Sequence, residues 1–159
     1  MILAIDPGNS ESAYALMDEN IKPVEFGKVK NLEMLFICEG LIRKYDVELV
    51  IEMVASYGMA VGKDVFETVF WIGRFWQAFD GPKIKIYRKD VKMNICGTMK
   101  AKDTNIRQAL IDRFAKHDLK NGKGTAKNPD WFHGFKSDIW SAYAVGVTYY
   151  DEYLKEVQT

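Results

Sequence analysis

The chain begins with a continuous apolar run, Ile2-Leu3-Ala4-Ile5, stopped by Asp6 and then by Pro7-Gly8. A short unbroken run of this kind predicts a strand buried on both faces, and the Pro-Gly pair supplies turn chemistry after it. Asp6 therefore falls where a sheet ends and a loop begins. Ser12 to Asp18 (SAYALMD) predicts a second strand, Asp18-Glu19-Asn20 a turn, and Val24 to Val29 a third strand. Together these make an antiparallel meander. From Asn31, Leu32, Leu35, Phe36, Leu41 and Ile42 recur at steps of three and four and predict a helix whose last turns are weakened by Gly40. Leu49-Val50-Ile51 is again a buried strand, and it ends at Glu52, repeating the pattern of an apolar strand closed by a carboxylate.

The loop SYGMAVGK follows Glu52, and Asp64 to Phe79 predicts a helix with an aromatic stripe of Phe66, Phe70, Trp71, Phe75, Trp76 and Phe79. Such rings serve most often as core or as a subunit interface, and stacking on exposed bases is the sharper alternative. Lys83 to Tyr87 alternates as a strand, and Asp103 to Phe114 predicts a helix with Ile106, Leu110, Ile111 and Phe114 on its apolar face. Lys120 to Asn128 is a polar loop. Ser137 to about Lys155 predicts a last helix with Asp138 in its first turn. Three strands, helix, strand, helix, strand, helix, helix suggests an α/β protein with a mixed sheet and helices packed on it, where sites belong at strand ends and helix N-termini.

At 159 residues, 48% hydrophobic and 13% aromatic, residues 1–159 are sized for a single domain with a substantial core. No segment reaches the eighteen or so uncharged apolar residues of a membrane span, and Asp6 interrupts the early apolar run that a signal peptide would need. Cys38 and Cys96 are too few and too isolated for a disulfide framework or a zinc site. A soluble, cytoplasmic protein with no membrane partner and no small-molecule cofactor is expected. The formal charge of zero conceals a strong asymmetry. Residues 81–127 hold ten Lys and three Arg against four Asp and no Glu, a net of +9, whereas residues 1–80 carry −6 and residues 128–159 carry −3. The basic middle is either a solvated surface or a site for a polyanion.

Asp6, Glu52 and Asp138 each close or open an element, and each taken alone has a structural explanation as a turn cap, a solvated strand end or a helix-dipole partner. They converge if the strand ending at Glu52 is parallel and adjacent to the first. Three carboxylates at one sheet edge repel, and divalent cations relieve that repulsion. Oxygen-only ligation suits Mg²⁺, with Mn²⁺ able to substitute, and nothing here clusters Cys and His for zinc. Two such ions ~3.5–4 Å apart can activate a water and stabilise a leaving oxygen at phosphorus, while the basic middle holds the phosphate backbone. This is the logic of a nuclease.

The spaced set IDPG, SAYALMD, LVIE, GMAVGKDVFETVFWIGRF, RKDVKMNICGTMKAKDTNIRQALIDRF and SDIWSAYAVGV resembles, in order and over nearly the whole chain, the RuvC-type Holliday-junction resolvases of the RNase H-like (retroviral integrase-like) superfamily. The resemblance implies an RNase H-like fold with a mixed five-stranded sheet, an antiparallel meander plus parallel strands, flanked by helices. It further implies a homodimeric, Mg²⁺-dependent endonuclease that nicks branched DNA, in a bacterium or a phage-infected host cell. Asp6, Glu52 and Asp138 resemble the family's metal-binding acids, and Lys100 and Lys102 its lysines near the scissile phosphate. Arg88, Lys89, Lys92, Arg107 and Lys123 are further candidates for phosphate contacts, which confer affinity and register rather than base readout. The chain departs from the family at Ser141, which stands where the second aspartate of the D-x-x-D-A motif is usual. A second register, in which Asp138 is itself the last acid, fits the small-apolar run after Ser141 less well. A neutral hydroxyl is a poor anionic ligand, so His133 or Asp130 in the preceding loop are candidates to compensate; His117 reads as a surface or core residue. A two-fold junction calls for a two-fold dimer, with the Asp64 to Phe79 helix as candidate interface. The alternatives are a non-catalytic junction-binding module, a related nuclease acting on flaps, forks or RNA, and, last, an actin-like phosphotransferase.

Overall fold

A computed structural model of the protein describes residues 1–155. The opening apolar run forms β1 (Ile2–Asp6), followed by β2 (Glu11–Met17), β3 (Pro23–Lys30), α1 (Asn31–Lys44), β4 (Glu48–Met53), α2 (Lys63–Ala78), β5 (Lys83–Tyr87), α3 (Arg88–Cys96), α4 (Asp103–Phe114) and α5 (Ile139–Tyr149). A π-helical turn, Tyr150–Leu154, continues α5. The strands make a five-stranded sheet in the order β3-β2-β1-β4-β5. The β1–β2 and β2–β3 pairs are antiparallel, and β1–β4 and β4–β5 are parallel, so the expected mixed sheet is present. No described helix is long and apolar enough to cross a membrane.

Alternation along β1 divides the core into two layers. Ile2 and Ala4 face α5 together with Ala13, Ala15 and Met17 of β2, while Leu3 and Ile5 face α1 and α2, meeting Met34, Cys38, Ile72 and Phe75. The small residues on the first face let α5 approach closely. A Cβ on Gly146 would collide with the Met17 side chain and come within 3.1 Å of the Ala4 Cβ. This close approach sets the start of α5 above the end of β1, where Asp6 lies.

The long connection between α4 and α5 is folded onto the same layer by aromatic packing. Phe132, Phe135 and Phe114 meet the Tyr143 ring edge-on at centroid distances of 5.4, 5.5 and 5.9 Å. The fully buried Tyr143 hydroxyl donates to the Ile21 carbonyl at 2.9 Å and accepts from Trp131 Nε1 at 3.0 Å. One phenol thus ties the β2–β3 turn, the connection and α5 together.

Two elements differ from the sequence expectation. Helix α3 was not anticipated, because it buries only Val91 completely and has no apolar stripe to announce it. The last helix begins at Ile139, so Asp138 is its N-cap residue rather than a member of its first turn. Ser137 takes a left-handed φ of 48°, which a right-handed helix cannot include. Gly40 does not shorten α1, since the flanking Cys38 and Leu41 are buried in the core and packing outweighs propensity. The α2 stripe is split: Phe75 and Phe79 are buried, whereas Phe66 and Phe70 are 65% and 60% exposed.

Replacing Tyr143 by Phe keeps the ring and removes the hydroxyl, stranding the Ile21 carbonyl and the Trp131 indole N–H. Urea denaturation is expected to show a loss of about 1–3 kcal/mol. Unchanged stability would show that the hydroxyl does not hold the connection in place.

Candidate functional site

Strand register assembles the site. Asp6 is opposite Ala13, and Ala13 is opposite Lys28. On the other side Ile5 is level with Ile51, which sets Glu52 beside Asp6, and Glu52 is level with Ile86. A single transverse row therefore reads Lys28, Ala13, Asp6, Glu52, Ile86. Residues in one row share a face of the sheet, and neighbouring strands are only ~4.8 Å apart. That face is the one α5 covers. The loop beyond Asp6 is fixed by a buried network: the Gly8 N–H donates to Ser12 Oγ at 3.2 Å, the Ser12 hydroxyl to Asn31 Oδ1 at 2.6 Å, and Asn31 Nδ2 to the Gly8 carbonyl at 2.9 Å.

Two cations of the protein itself are drawn to these acids. Lys28 Nζ donates to Asp138 Oδ2 at 2.6 Å, reaching from β3 to the N-cap of α5. Arg88, the first residue of α3, approaches Glu52 Oε2 with Nη1 at 3.4 Å and donates through Nη2 to Asp103 at the start of α4. Even so, negative charge is in excess. Burial, reinforced by the charges of Glu52, Asp138 and Asp103 and opposed by Arg88, pushes the Asp6 carboxyl up to about 8. Burial also raises Glu52 above the usual carboxylate range, against the charge and hydrogen bond of Arg88. The hydrogen bond to Asp138 raises Lys28 and keeps it protonated.

Ser141 lines an open pocket of ≈ 210 Å³ together with Arg88, Asp103, Arg107, Asp138 and Trp140, and the Arg107 guanidinium lies 4.8 Å over the Trp140 ring. Lys89 and Lys92 line a second pocket that shares Arg88, alongside Tyr57 and Met99. Lys100 and Lys102 are exposed on the α3–α4 loop, where the Lys102 N–H donates to Asn105 Oδ1 at 2.8 Å and caps α4. Lys123 and His133 sit together in the α4–α5 connection, His133 Nδ1 being 3.1 Å from the Lys123 carbonyl. Asp130 is committed to the same loop. Its burial would raise it, but backbone N–H groups of Asp118, His117, Lys116 and Trp131 hold it well below the usual range.

Sequence reasoning did not single out Lys28 or Asp103, and it assigned Arg88 to DNA alone. The signal for Lys28 lies in the register of β3 against β2, and that for Asp103 in the meeting of the α3 and α4 N-termini, neither of which is local in sequence.

Carboxylate oxygens are the donors that a hard divalent cation prefers, and the unbalanced charge around Asp6 is what such an ion relieves. Among the described residues no three His, Cys, Asp or Glu side chains stand together as a ready ligand set. Asp138 and Glu52 are instead turned toward Lys28 and Arg88, so an ion must compete with resident cations for them.

No protein-family profile and no curated protein matches this sequence. Solved structures do match. The chain is similar to Thermus thermophilus RuvC in complex with a Holliday junction substrate, at 12% identity and a TM-score of 0.66, over 94% of this chain and 93% of that one. A second Thermus thermophilus RuvC structure matches at 15% identity and a TM-score of 0.60, covering 94% of each chain. The chain has the RuvC-type, RNase H-like fold from end to end of the compared region.

Because folded Asp6 holds its proton up to about 8 while the unfolded chain releases it near 3.8, folding stability falls as pH rises through that window and levels off above it. The raised Glu52 acts in the same direction. In chelator-containing buffer, the melting temperature is expected to fall from pH 5 to pH 8. Asp6→Asn is expected to remove most of that slope and to raise the melting temperature at pH 8 by about 5 °C or more. Parallel pH profiles for the two proteins would contradict the burial and surrounding negative charge that hold the Asp6 proton.

Proposed function

We propose that this chain is a divalent-metal-dependent endonuclease of branched DNA, acting as a single domain in each subunit of a homodimer. The observation that carries the proposal is the juxtaposition of Asp6 and Glu52 in one sheet row with Asp138 at the facing helix start, under an unbalanced negative charge. The RuvC-type fold supports it, since one of the similar structures holds a Holliday junction. Asp6 and Glu52 would hold the metal, with Asp138, paired to Lys28, facing them from the helix start. When bound, the ion would supply Lewis-acid charge at phosphorus and favour deprotonation of the attacking water. Mg²⁺ is the expected ion, and Mn²⁺ should substitute for it.

The surrounding residues take separate parts. Arg88 and Arg107, which line the same pocket as Asp138 and Ser141, would take a phosphate there. Lys89, Lys92, Lys100 and Lys102 extend positive charge along α3 and the loop after it, neutralising the flanking backbone. Lys123, on the α4–α5 connection, would reach a more distant arm. Phosphate contacts of this kind orient a duplex without reading its sequence, so selectivity for branched DNA would come from the placement of two sites in a dimer. The exposed Phe66, Val69 and Phe70 of α2, with Leu32 and Phe36 of α1, form the apolar surface proposed to make that dimer.

A non-catalytic junction binder is the second reading, and the neutral Ser141 is what favours it. Cleavage of a synthetic four-way junction with Mg²⁺ or Mn²⁺ separates the two. Metal-stimulated nicking is expected, reduced by at least about 100-fold in Asp6→Asn and Glu52→Gln, since loss of even an outer partner of a metal ligand costs 10–100-fold. Salt-sensitive binding without nicking would select the binder, and preferential cutting of flaps, forks or RNA hybrids in the same panel would move the substrate. Sedimentation is expected to show a dimer that Phe66→Glu with Phe70→Glu converts to monomer; an unchanged dimer would place the interface elsewhere.

A further inference from the structure

We propose that Lys28 is a resident cation occupying the seat of a second metal ion, so that this site takes one divalent ion, at Asp6 and Glu52, in place of two. The inference rests on the nuclease reading and specifies how its charge is supplied.

Three independent features converge on Lys28. It lies in the same transverse row as Asp6 and Glu52, separated from Asp6 only by Ala13. Its ammonium donates to Asp138 at 2.6 Å, so the carboxylate that would face a second ion already has a cation. One turn along α5, Ser141 offers a neutral hydroxyl, and Asp103, the other acid lining that pocket, is paired with Arg88, so a second ion would find no unpaired carboxylate beside Asp138 there.

Charge balance agrees. Asp6, Glu52, Asp138 and Asp103 supply four negative charges when ionised, and Lys28 and Arg88 supply two positive ones, leaving a deficit that one divalent ion fills. A lysine suits the role because its charge is compact and its stem is flexible. Arg88 is paired with Glu52 and Asp103, whereas Lys28 is paired with Asp138. Ser141 and Lys28 are on this view a matched pair: the acid is absent where the protein's own cation is present.

Counting bound Mn²⁺ tests the proposal without reference to cleavage. Electron paramagnetic resonance of free Mn²⁺ during titration gives the number of ions per chain, and two ions ~3.5–4 Å apart also give a spin-coupled spectrum. The wild type is expected to bind one ion per chain with an uncoupled spectrum. The double variant Lys28→Met with Ser141→Asp, which keeps an unbranched apolar stem at position 28, is expected to bind two and to show coupling. Thermal melts of both proteins establish that the variant is folded. Two ions in the wild type would overturn the inference and leave the nuclease reading intact. One ion in the folded double variant would also overturn it, because removing the lysine and restoring the acid would not have opened the second seat. No ion in either protein would overturn both the inference and the metal-dependent reading beneath it.

Discussion

Carboxylates held at the end of a buried sheet row are the constraint on which the rest of this molecule depends. Strands β1 and β4 run parallel and adjacent, so their register brings Asp6 and Glu52 side by side on a face that α5 closes over. Ionising Asp6 there costs roughly 6 kcal/mol relative to water, taking its rise from 3.8 to about 8 at ~1.4 kcal/mol per pH unit. That is a large fraction of the stability of an ordinary domain. A divalent cation is the kind of group that would relieve such a liability, which is why the proposed function rests on it.

The remaining architecture serves this arrangement. Ala4, Ala13, Ala15 and Gly146 let α5 lie close to the sheet, which brings its N-cap Asp138 within reach of the row. The Ser12–Asn31–Gly8 network fixes the loop that leaves Asp6, and Asp130 fixes the connection that leads to Asp138. Arg88 and Lys28 then moderate the acids from opposite sides. Within α3, Arg88 is paired with acids of the site, and Lys89 and Lys92 follow it directly, so the acidic site and part of the basic middle of the chain adjoin on one helix.

Much of this was legible in the sequence because the informative features were local. A buried strand closed by a carboxylate is visible twice, at Asp6 and Glu52, and the meander, β4, β5 and α4 follow from alternation or helical spacing. What was not legible is what depends on tertiary registration. Lys28 is an ordinary lysine on an edge strand until the β2–β3 register sets it in the row of Asp6. Asp103 is an ordinary first-turn acid until α3 delivers Arg88 to it. Helix α3 itself buries only Val91 completely and leaves no periodic trace. The aromatic stripe of α2 was visible, but which rings are core and which are surface is decided by where α1 lies against it. Asp130 and His133, candidates on residue type, are engaged in shaping the loop that carries them.

The suppressed ionisation of Asp6, from burial and from the negative charge around it, is the claim on which the proposed metal site and the parts given to Lys28 and Arg88 rest. Carbon-detected NMR of the aspartate carboxyls in metal-free protein measures it at the residue concerned. The account predicts that the Asp6 carboxyl carbon titrates near 8 and loses that titration when a divalent cation is added. An Asp6 that titrates near 4 in the folded, metal-free protein would contradict it.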